Sequence, residues 1–416
     1  MENDDQKPDA PAEPAGDQPA AIISESLRMR LLERIGEWII PKVKGLVPML
    51  VNRYFFDESL VYEMLYTRDI GKVPPSNWID YKLDSHYYAG QVRHVEVSRA
   101  GRHKPLQLPY SEVINFTAHP DTKITVRAEI KPYQMTKCLE ERTDEIVRRF
   151  TAEKGKTFNG PILRVKSLLK NKRGAGWRAT LERARYFDQV RTNLSLDAEL
   201  LPPGKRTLRL QDLGPDNSLR PFDESHMVNS IGVSAVCFFL GKNRRKQFFM
   251  KLRCRSDGVF EDMLATTSGV VEPPLTDDEA KHRDEHSKPV ENHQISRLTE
   301  LVSYATEEML REFQRETGLE RSHVKSIAPL AFVRELTRGG KPQFFFLIEI
   351  QPIRERDFKR RFQSSAEGLE EFRDNWQSDL IAHSKPFSPE FAANLVYPIE
   401  HFQARDGKKS SPLFLD

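Results

Sequence analysis

The sequence predicts an α/β fold, because two strongly apolar strand pairs flank one long amphipathic helix. The first pair, SIGVSAVCFFL and KQFFMKLRC, surrounds the turn GKNRR and is typical of a β-hairpin. The second pair, SIAPLAFVREL and PQFFFLIEIQP, is joined by TRGGK. Between the pairs, Thr299 to Leu319 has the spacing of a helix that ends near Gly318. The wholly apolar first strand suggests a central position, covered on both faces.

The N-terminal region differs from the rest of the chain in composition and in the spacing of its apolar residues. Residues 1–22 are rich in Pro, Ala and acidic side chains, so we expect them to be disordered. Residues 23–90 contain two runs at helical spacing, one beginning near Ser24 and one over residues 48–66. We therefore expect a helical N-terminal extension, suited to contact a second copy of the chain or a protein partner.

Short alternating segments follow and predict strands and a helix over residues 91–157. Next comes FNGPILRVKSLLKN, a strand opened by an Asn-Gly turn, and then the aromatic and basic segment LERARYFDQVRTN. Residues 273–298 are charged and lack apolar periodicity, which predicts a surface insertion. Within it, His282 and His286 lie four residues apart, but without a third ligand a solvated loop is the better interpretation.

Composition limits the classes of function. The chain has 416 residues, a net charge of +3 and three cysteines without a CxxC pair. A nearly balanced charge argues against a protein that coats nucleic acid, while small anionic ligands need only a few local cations. Neither a signal peptide nor an apolar stretch long enough to span a bilayer is evident. We expect a soluble, cytoplasmic protein with no membrane partner and no zinc or disulfide framework.

Three glutamates mark the predicted helix. Glu308, Glu312 and Glu316 are spaced four residues apart, which places their carboxylates within about 80° of the helix surface. Like charges at this spacing repel, and a hard divalent cation would turn the repulsion into binding. The alternative is a solvated acidic face, relieved by Arg311 and Arg315 one turn away.

The segment REFQRETGL, residues 311–319, resembles the end of the Nudix box. Six positions match: Arg311, Glu312, Phe313, Glu316, Gly318 and Leu319. Arg315 departs from the pattern, because the family has a glutamate there. The opening of the box has a counterpart in SGVVEP, with Gly269 and Glu272, and the charged insertion separates the two halves. Ser303 occupies the offset of the family's glutamate before the helix.

This split box is similar to that of the UDP-glucose and UDP-galactose diphosphatase-like Nudix proteins. FNGPILRV and YFDQVRTN, with Tyr186, Thr192 and Asn193, resemble segments of the same subgroup. The resemblance implies a Nudix α/β/α sandwich with a mixed sheet. We therefore predict a 1–22 tail, a 23–90 extension, a 91–157 segment on or within the Nudix domain, a 158–402 Nudix domain with the 273–298 insertion, and a 403–416 tail.

The resemblance also implies roles for single residues. Glu312 and Glu316 would be catalytic Mg²⁺ (or Mn²⁺) ligands, with the carbonyl of Gly269 completing the protein side. Arg311 would hold the loop to the helix. Helix geometry alone adds Glu308 as a further metal ligand or outer-sphere partner. Arg315, standing where a metal ligand belongs, would repel a second ion and could contact phosphate instead.

Further candidates would contact a nucleotide. Four arginines are predicted to bind phosphate: Arg164, Arg191, Arg334 and Arg338. Glu335 and Glu349 are candidates for a general base, and Phe158, Tyr186 and Phe187 could stack on a uracil.

Three hypotheses follow. The first is a Mg²⁺-dependent hydrolase that cleaves the diphosphate of a nucleotide-linked substrate, in particular a UDP-sugar. The second is a catalytically impaired Nudix-like domain that binds a nucleotide and reports it to a partner through residues 23–90. The third, a structural interaction protein, is favoured only if the acidic stripe is buried in ion pairs.

Overall fold

A computed structural model describes the chain in separate stretches: 55–57, 87–88, 90–99, 102–127, 130–154, 159–172, 176–198, 207–240, 246–253, 263–274, 298–354, 357–358, 360–361, 387–405 and 413–415. The predicted tail over residues 1–22, most of the predicted extension and most of the charged insertion lie outside these residues, as do His282 and His286.

Sixteen strands lie in the described stretches: β1 (Phe55–Asp57), β2 (Arg93–Arg99), β3 (Arg102–Leu108), β4 (Tyr110–Asn115), β5 (Ile124–Val126), β6 (Lys131–Pro132), β7 (Pro161–Lys170), β8 (Trp177–Arg185), β9 (Gly232–Leu240), β10 (Lys246–Phe249), β11 (Lys251–Leu252), β12 (Leu264–Ala265), β13 (Thr267–Val270), β14 (Val324–Glu335), β15 (Lys341–Ile350) and β16 (Leu413–Leu415). The α-helices there are α1 (Lys137–Lys154), α2 (Tyr186–Arg191), α3 (Leu208–Asp212), α4 (Leu301–Thr317) and α5 (Pro389–Arg405).

The largest sheet is mixed. Its strand order is β1-β10-β9-β15-β14-β4, and β13 pairs with β9 beside β10. Strands β9 and β15 run parallel, while the other pairs are antiparallel. Both predicted hairpins, β9–β10 and β14–β15, are confirmed. The described chain is therefore a mixed α/β protein.

Helices cover both faces of this sheet. Along β9, Val233, Ala235 and Cys237 lie in the core cluster that contains apolar residues of α4. Val236 and Phe238 lie in a second cluster with residues of α5. Because successive side chains of a strand point to opposite faces, the unbroken apolar run of β9 serves both clusters. The predicted central position of this strand is confirmed.

Smaller sheets surround this layer. Strand β8 pairs antiparallel with β7 and parallel with β5 and β6. Apolar residues of β7 and β8 join the same core cluster as α4. A third sheet contains β16, β2 and β3, and β11 pairs with β12. The α4 side of the large sheet is therefore covered by the helix together with the β7–β8 hairpin.

The predicted helix over residues 48–66 is wrong at Phe55–Asp57. These residues form β1, which pairs antiparallel with Gln247–Phe249 at the edge of the large sheet. An open strand edge and two aromatic residues favour the extended conformation over a local helical preference. None of the helices in the described stretches has the length and apolar content needed to cross a membrane.

Candidate functional site

Helix α4 has clear signals at both ends. The carboxylate of Glu300 accepts hydrogen bonds from the backbone N–H groups of Val302 and Ser303, which caps the first turn. Gly318 adopts a left-handed conformation with φ of 68° and ends the helix. The helix predicted from the sequence is confirmed here.

The three glutamates of α4 are all buried. Glu308 is 3% exposed, Glu312 is 1% exposed and Glu316 is 2% exposed. The spacing correctly placed them on one side of the helix, but that side faces the protein. A solvated acidic face is therefore excluded. A buried carboxylate needs a compensating partner, so the partners decide what this cluster can do.

Glu308 is held by an arginine and a backbone amide. Its Oε2 accepts a hydrogen bond from Nη2 of Arg311 at 2.5 Å and another from the backbone N–H of Glu272 at 3.2 Å. Burial raises the pKa of Glu308 to about 7, although Arg311 acts to lower it. One of the two carboxylate oxygens of Glu308 is thus already engaged by Arg311 and the backbone.

Arg311 connects the helix to the loop after β13. Its Nη1 donates to Oε2 of Glu272 at 3.1 Å, while Nη2 binds Glu308. Tyr304 supports the same loop, because its hydroxyl donates to the carbonyl of Glu272 at 2.7 Å. Arg311 thus links α4 to the loop after β13 through Glu272.

Gly269 lies directly against Glu312. A Cβ at position 269 would lie 2.4 Å from Cδ of Glu312 and 2.5 Å from its Cγ. At these distances a side chain at position 269 would force Glu312 or the strand to shift, so the close approach of β13 and α4 favours glycine. Glu316 meets the same strand, where its Oε1 accepts from the backbone N–H of Ser268 at 3.4 Å.

Arg315 forms an ion pair with Glu312. Its Nη2 lies 2.6 Å from Oε2 of Glu312. The side chain of Arg315 is 44% exposed, whereas that of Glu312 is 2% exposed. The carboxylate lies inside and the guanidinium faces the solvent, so the outer surface of this pair is cationic.

The residues predicted to bind Mg²⁺ or Mn²⁺ do not fit a metal site in this arrangement. Gly269, Glu312 and Glu316 are close together, but in the described part of the chain no group of three or more His, Cys, Asp or Glu side chains is placed to hold a metal ion. The reason is local: guanidinium groups contact the oxygens of Glu308 and Glu312. An ion that bound these two oxygens would have to displace both arginines.

The four arginines predicted to bind phosphate are dispersed. Arg164 pairs with Glu182 at 3.1 Å and lies over the Tyr133 ring. Burial lowers the pKa of Arg164. Arg191 pairs with Asp144 at 2.5 Å.

The other two arginines belong to the β14–β15 hairpin. Arg338 forms ion pairs with Glu335 and Glu390 and is 5% exposed. Arg334 is 9% exposed. Unlike the other three arginines, Arg334 has no carboxylate oxygen within 4.0 Å among the described residues. The structure therefore does not bring the four arginines to one point.

The candidate bases and stacking residues also have structural partners. Glu335 is fully buried and accepts from Thr337 and Arg338. Glu349 pairs with Lys325 at 2.6 Å. Tyr186 and Phe187, at the start of α2, are half-buried and pack against the core cluster that contains Phe150 and Val190. Phe158 lies outside the described residues.

Sequence reasoning missed Lys341, a buried amine on the α5 side of the sheet. Its Nζ donates to Oε1 of Gln343 at 3.0 Å, and Gly232 provides the space, because a Cβ there would lie 2.4 Å from that Nζ. Burial, with Arg338 as the next cause, lowers the pKa of Lys341 to about 7. A lysine directly after a Gly-Gly turn is normally exposed, so the sequence carried no signal for this one.

Comparison with known proteins adds no family: no protein-family model matches the chain, and no curated protein matches it.

Proposed function

We propose that this chain is a Nudix-like domain that binds a nucleotide-linked phosphate ligand and does not hydrolyse it efficiently. The proposal rests on one observation: the ion pair between Arg315 and Glu312, with the guanidinium outside and the carboxylate inside. The ion pair engages the Glu312 carboxylate, which a metal would need, and it places the cationic Arg315 at the surface, where a ligand can reach it.

The surroundings of β13 favour an anionic ligand. Arg183 donates to the carbonyl of Pro274 at 2.9 Å, and Arg253 donates to Oγ of Ser268 at 3.4 Å. With Arg311 and Arg315, four guanidinium groups therefore border the strand and its following loop. Guanidinium groups bind phosphate oxygens through paired, charge-assisted hydrogen bonds. The nucleotide part of the ligand, with a UDP-sugar as the first candidate, comes from the resemblance of REFQRETGL and SGVVEP to the Nudix box.

In this proposal the domain reports ligand binding to a partner. The path would run through residues 23–90, the extension expected to contact a second copy of the chain or another protein. A ligand that binds one conformation better than another shifts the population of the two. This path is supported by β1, since Phe55–Asp57 extend the large sheet.

A Mg²⁺-dependent hydrolase of a nucleotide-linked substrate is the second candidate. It is favoured by the approach of Glu312 and Glu316 to β13, where Gly269 and Ser268 meet them. The same elements would meet in an active Nudix site. Hydrolysis would require Arg315 to leave Glu312.

The test uses the full chain with UDP-glucose, ADP-ribose and NAD in the presence of Mg²⁺. Binding is measured by calorimetry and turnover by the release of nucleoside monophosphate, with Glu316→Gln as the matched control. Binding without turnover is the expected result. Turnover that Glu316→Gln abolishes would establish the hydrolase. The third hypothesis, a structural interaction protein, has its stated condition met at two positions, because the buried Glu308 and Glu312 form ion pairs with Arg311 and Arg315. Neither binding nor turnover would favour that hypothesis over the other two.

A further inference from the structure

Arg334 is a buried cation surrounded by neutral groups. Its Nε donates to the carbonyl of Gly340 at 3.2 Å, and its Nη1 donates to the carbonyl of Arg220 at 2.7 Å. Its guanidinium carbon lies 4.2 Å from the centre of the Phe222 ring. Carbonyl dipoles and an aromatic face partly stabilise a guanidinium, but they do not neutralise its charge.

The charge of Arg334 lacks a paired carboxylate. Within the described residues, no Asp or Glu oxygen lies within 4.0 Å of it, in contrast to the buried Arg164, Arg209 and Arg338. Asp212 acts on Arg334 only at longer range, and its oxygens accept hydrogen bonds from Ser225 and from the backbone of His226. A buried ion without a counter-ion is costly, which points to a missing anion.

Two buried donors belong to arginines that contact each other. Nη2 of Arg334 and Nε of Arg220 are both buried, and neither has a hydrogen-bond acceptor within the stretches that the structure describes. The two residues touch, since Arg334 binds the carbonyl of Arg220. Buried donors normally have an acceptor, so a pair of such donors on adjacent arginines indicates a ligand that supplies acceptor oxygens.

Residues 213–222 cover Arg334, and two of them are packed in apolar clusters: Leu219 is 8% exposed and Phe222 is 6% exposed. Residues 213–222 are tied down by polar contacts, among them the hydrogen bond from the backbone of Leu219 to Oε1 of Gln91 at 2.7 Å. On the other side, Gly340 is needed, because a Cβ there would lie 2.7 Å from Nη2 of Arg334.

We propose that Arg334 and Arg220 bind an oxyanion of the phosphate class beneath the 213–222 loop. Phosphate suits the site because its several oxygens can accept from both arginines at once and its charge offsets theirs. The site involves none of the residues of α4, so it stands whether or not the ligand proposed for Arg315 is correct.

A different explanation is that Arg334 acts only as a cross-link between the carbonyls of Gly340 and Arg220. The two explanations differ for Arg220→Met. This substitution removes the second guanidinium but keeps the backbone carbonyl that Arg334 binds. A cross-link would tolerate the change, whereas an anion site would lose affinity.

The experiment measures binding of inorganic phosphate to the full chain by calorimetry, and the thermal midpoint in sodium phosphate against sodium chloride of equal ionic strength. Phosphate should bind the wild type and raise its midpoint. Arg220→Met and Arg334→Lys should weaken binding by about tenfold or more, as expected for lost charged hydrogen bonds. Arg321→Met, an exposed arginine paired with Glu307, is the matched control and should leave binding unchanged.

Two results would overturn the proposal. One is that the wild type does not bind phosphate, or that it binds phosphate no more tightly than Arg220→Met and Arg334→Lys do. The other is an affinity lost in Arg315→Met and retained in Arg220→Met, which would place the anion at α4. Because Arg220→Met keeps the backbone contacts, it separates a failed site from a failed fold.

Discussion

Replacing Gly269 with alanine tests the close approach of β13 and α4. The added Cβ would lie 2.4 Å from Cδ, 2.5 Å from Cγ and 2.8 Å from Oε2 of Glu312. Ordinary contacts begin near 3.4 Å, so the Glu312 side chain or the strand must move by about 1 Å. Glu312 is 1% exposed and cannot swing into solvent. The strain therefore falls on the core.

The magnitude follows from two opposing effects. Overpacking of a dense core costs about 1–3 kcal/mol. Replacing glycine with alanine also restricts the unfolded chain, which stabilises the folded state by roughly 0.4–1 kcal/mol. We expect Gly269→Ala to lower the free energy of unfolding by about 1–2 kcal/mol.

The assay is urea unfolding of the wild type, of Gly269→Ala and of Gly269→Ala combined with Glu312→Ala. Removing the Glu312 carboxyl removes the obstacle, so the double substitution should cost less than the sum of the single ones by about 1–2 kcal/mol. Gly176→Ala is the control, since the nearest atom to its Cβ is the movable Asn171 amide at 3.1 Å. Purely additive costs would refute the reasoning.

Two further predictions concern buried cations. Because burial lowers the pKa of Lys341 from 10.5 to about 7, the unfolded chain binds a proton between these values that the folded chain lacks. Stability should therefore rise as the pH increases from about 7 towards 10, and Lys341→Met should abolish this rise in urea unfolding. Arg209→Met should cost about 3–5 kcal/mol, because it leaves Asp197 without the arginine that holds it at 2.7 Å. Arg321→Met, with both partners exposed, should cost under about 1 kcal/mol in the same assay; equal costs would contradict the difference in burial.

Local signals in the sequence predicted the central strands and the helix. The apolar run of β9, the turn residues and Gly318 act within a few residues, so they could be read without the tertiary structure. The shared side of Glu308, Glu312 and Glu316 followed from helix spacing alone. The i, i+3 spacing of Arg311 and Arg315 from their glutamates also made ion pairing foreseeable, as the alternative to metal binding.

The features that the sequence could not show are contacts between segments far apart in the chain. Carboxylates are usually exposed, so nothing local indicated that the acidic side of α4 would pack against β13. One of the two ion-pair partners of Arg311 is Glu272, which lies on the far side of the charged insertion in the sequence. The pairing of Phe55–Asp57 with β10 likewise joins segments far apart in the chain, and it replaced the helix that their local pattern favoured.

The most direct test of the central claim is a Mn²⁺ titration followed by electron paramagnetic resonance. We propose that Arg315 excludes a metal ion from α4 by pairing with Glu312. The wild type should hold no Mn²⁺ there, Arg315→Glu should gain a site, and adding Glu316→Gln to that variant should remove it. A wild type that binds Mn²⁺ and loses it on Glu316→Gln would contradict the account.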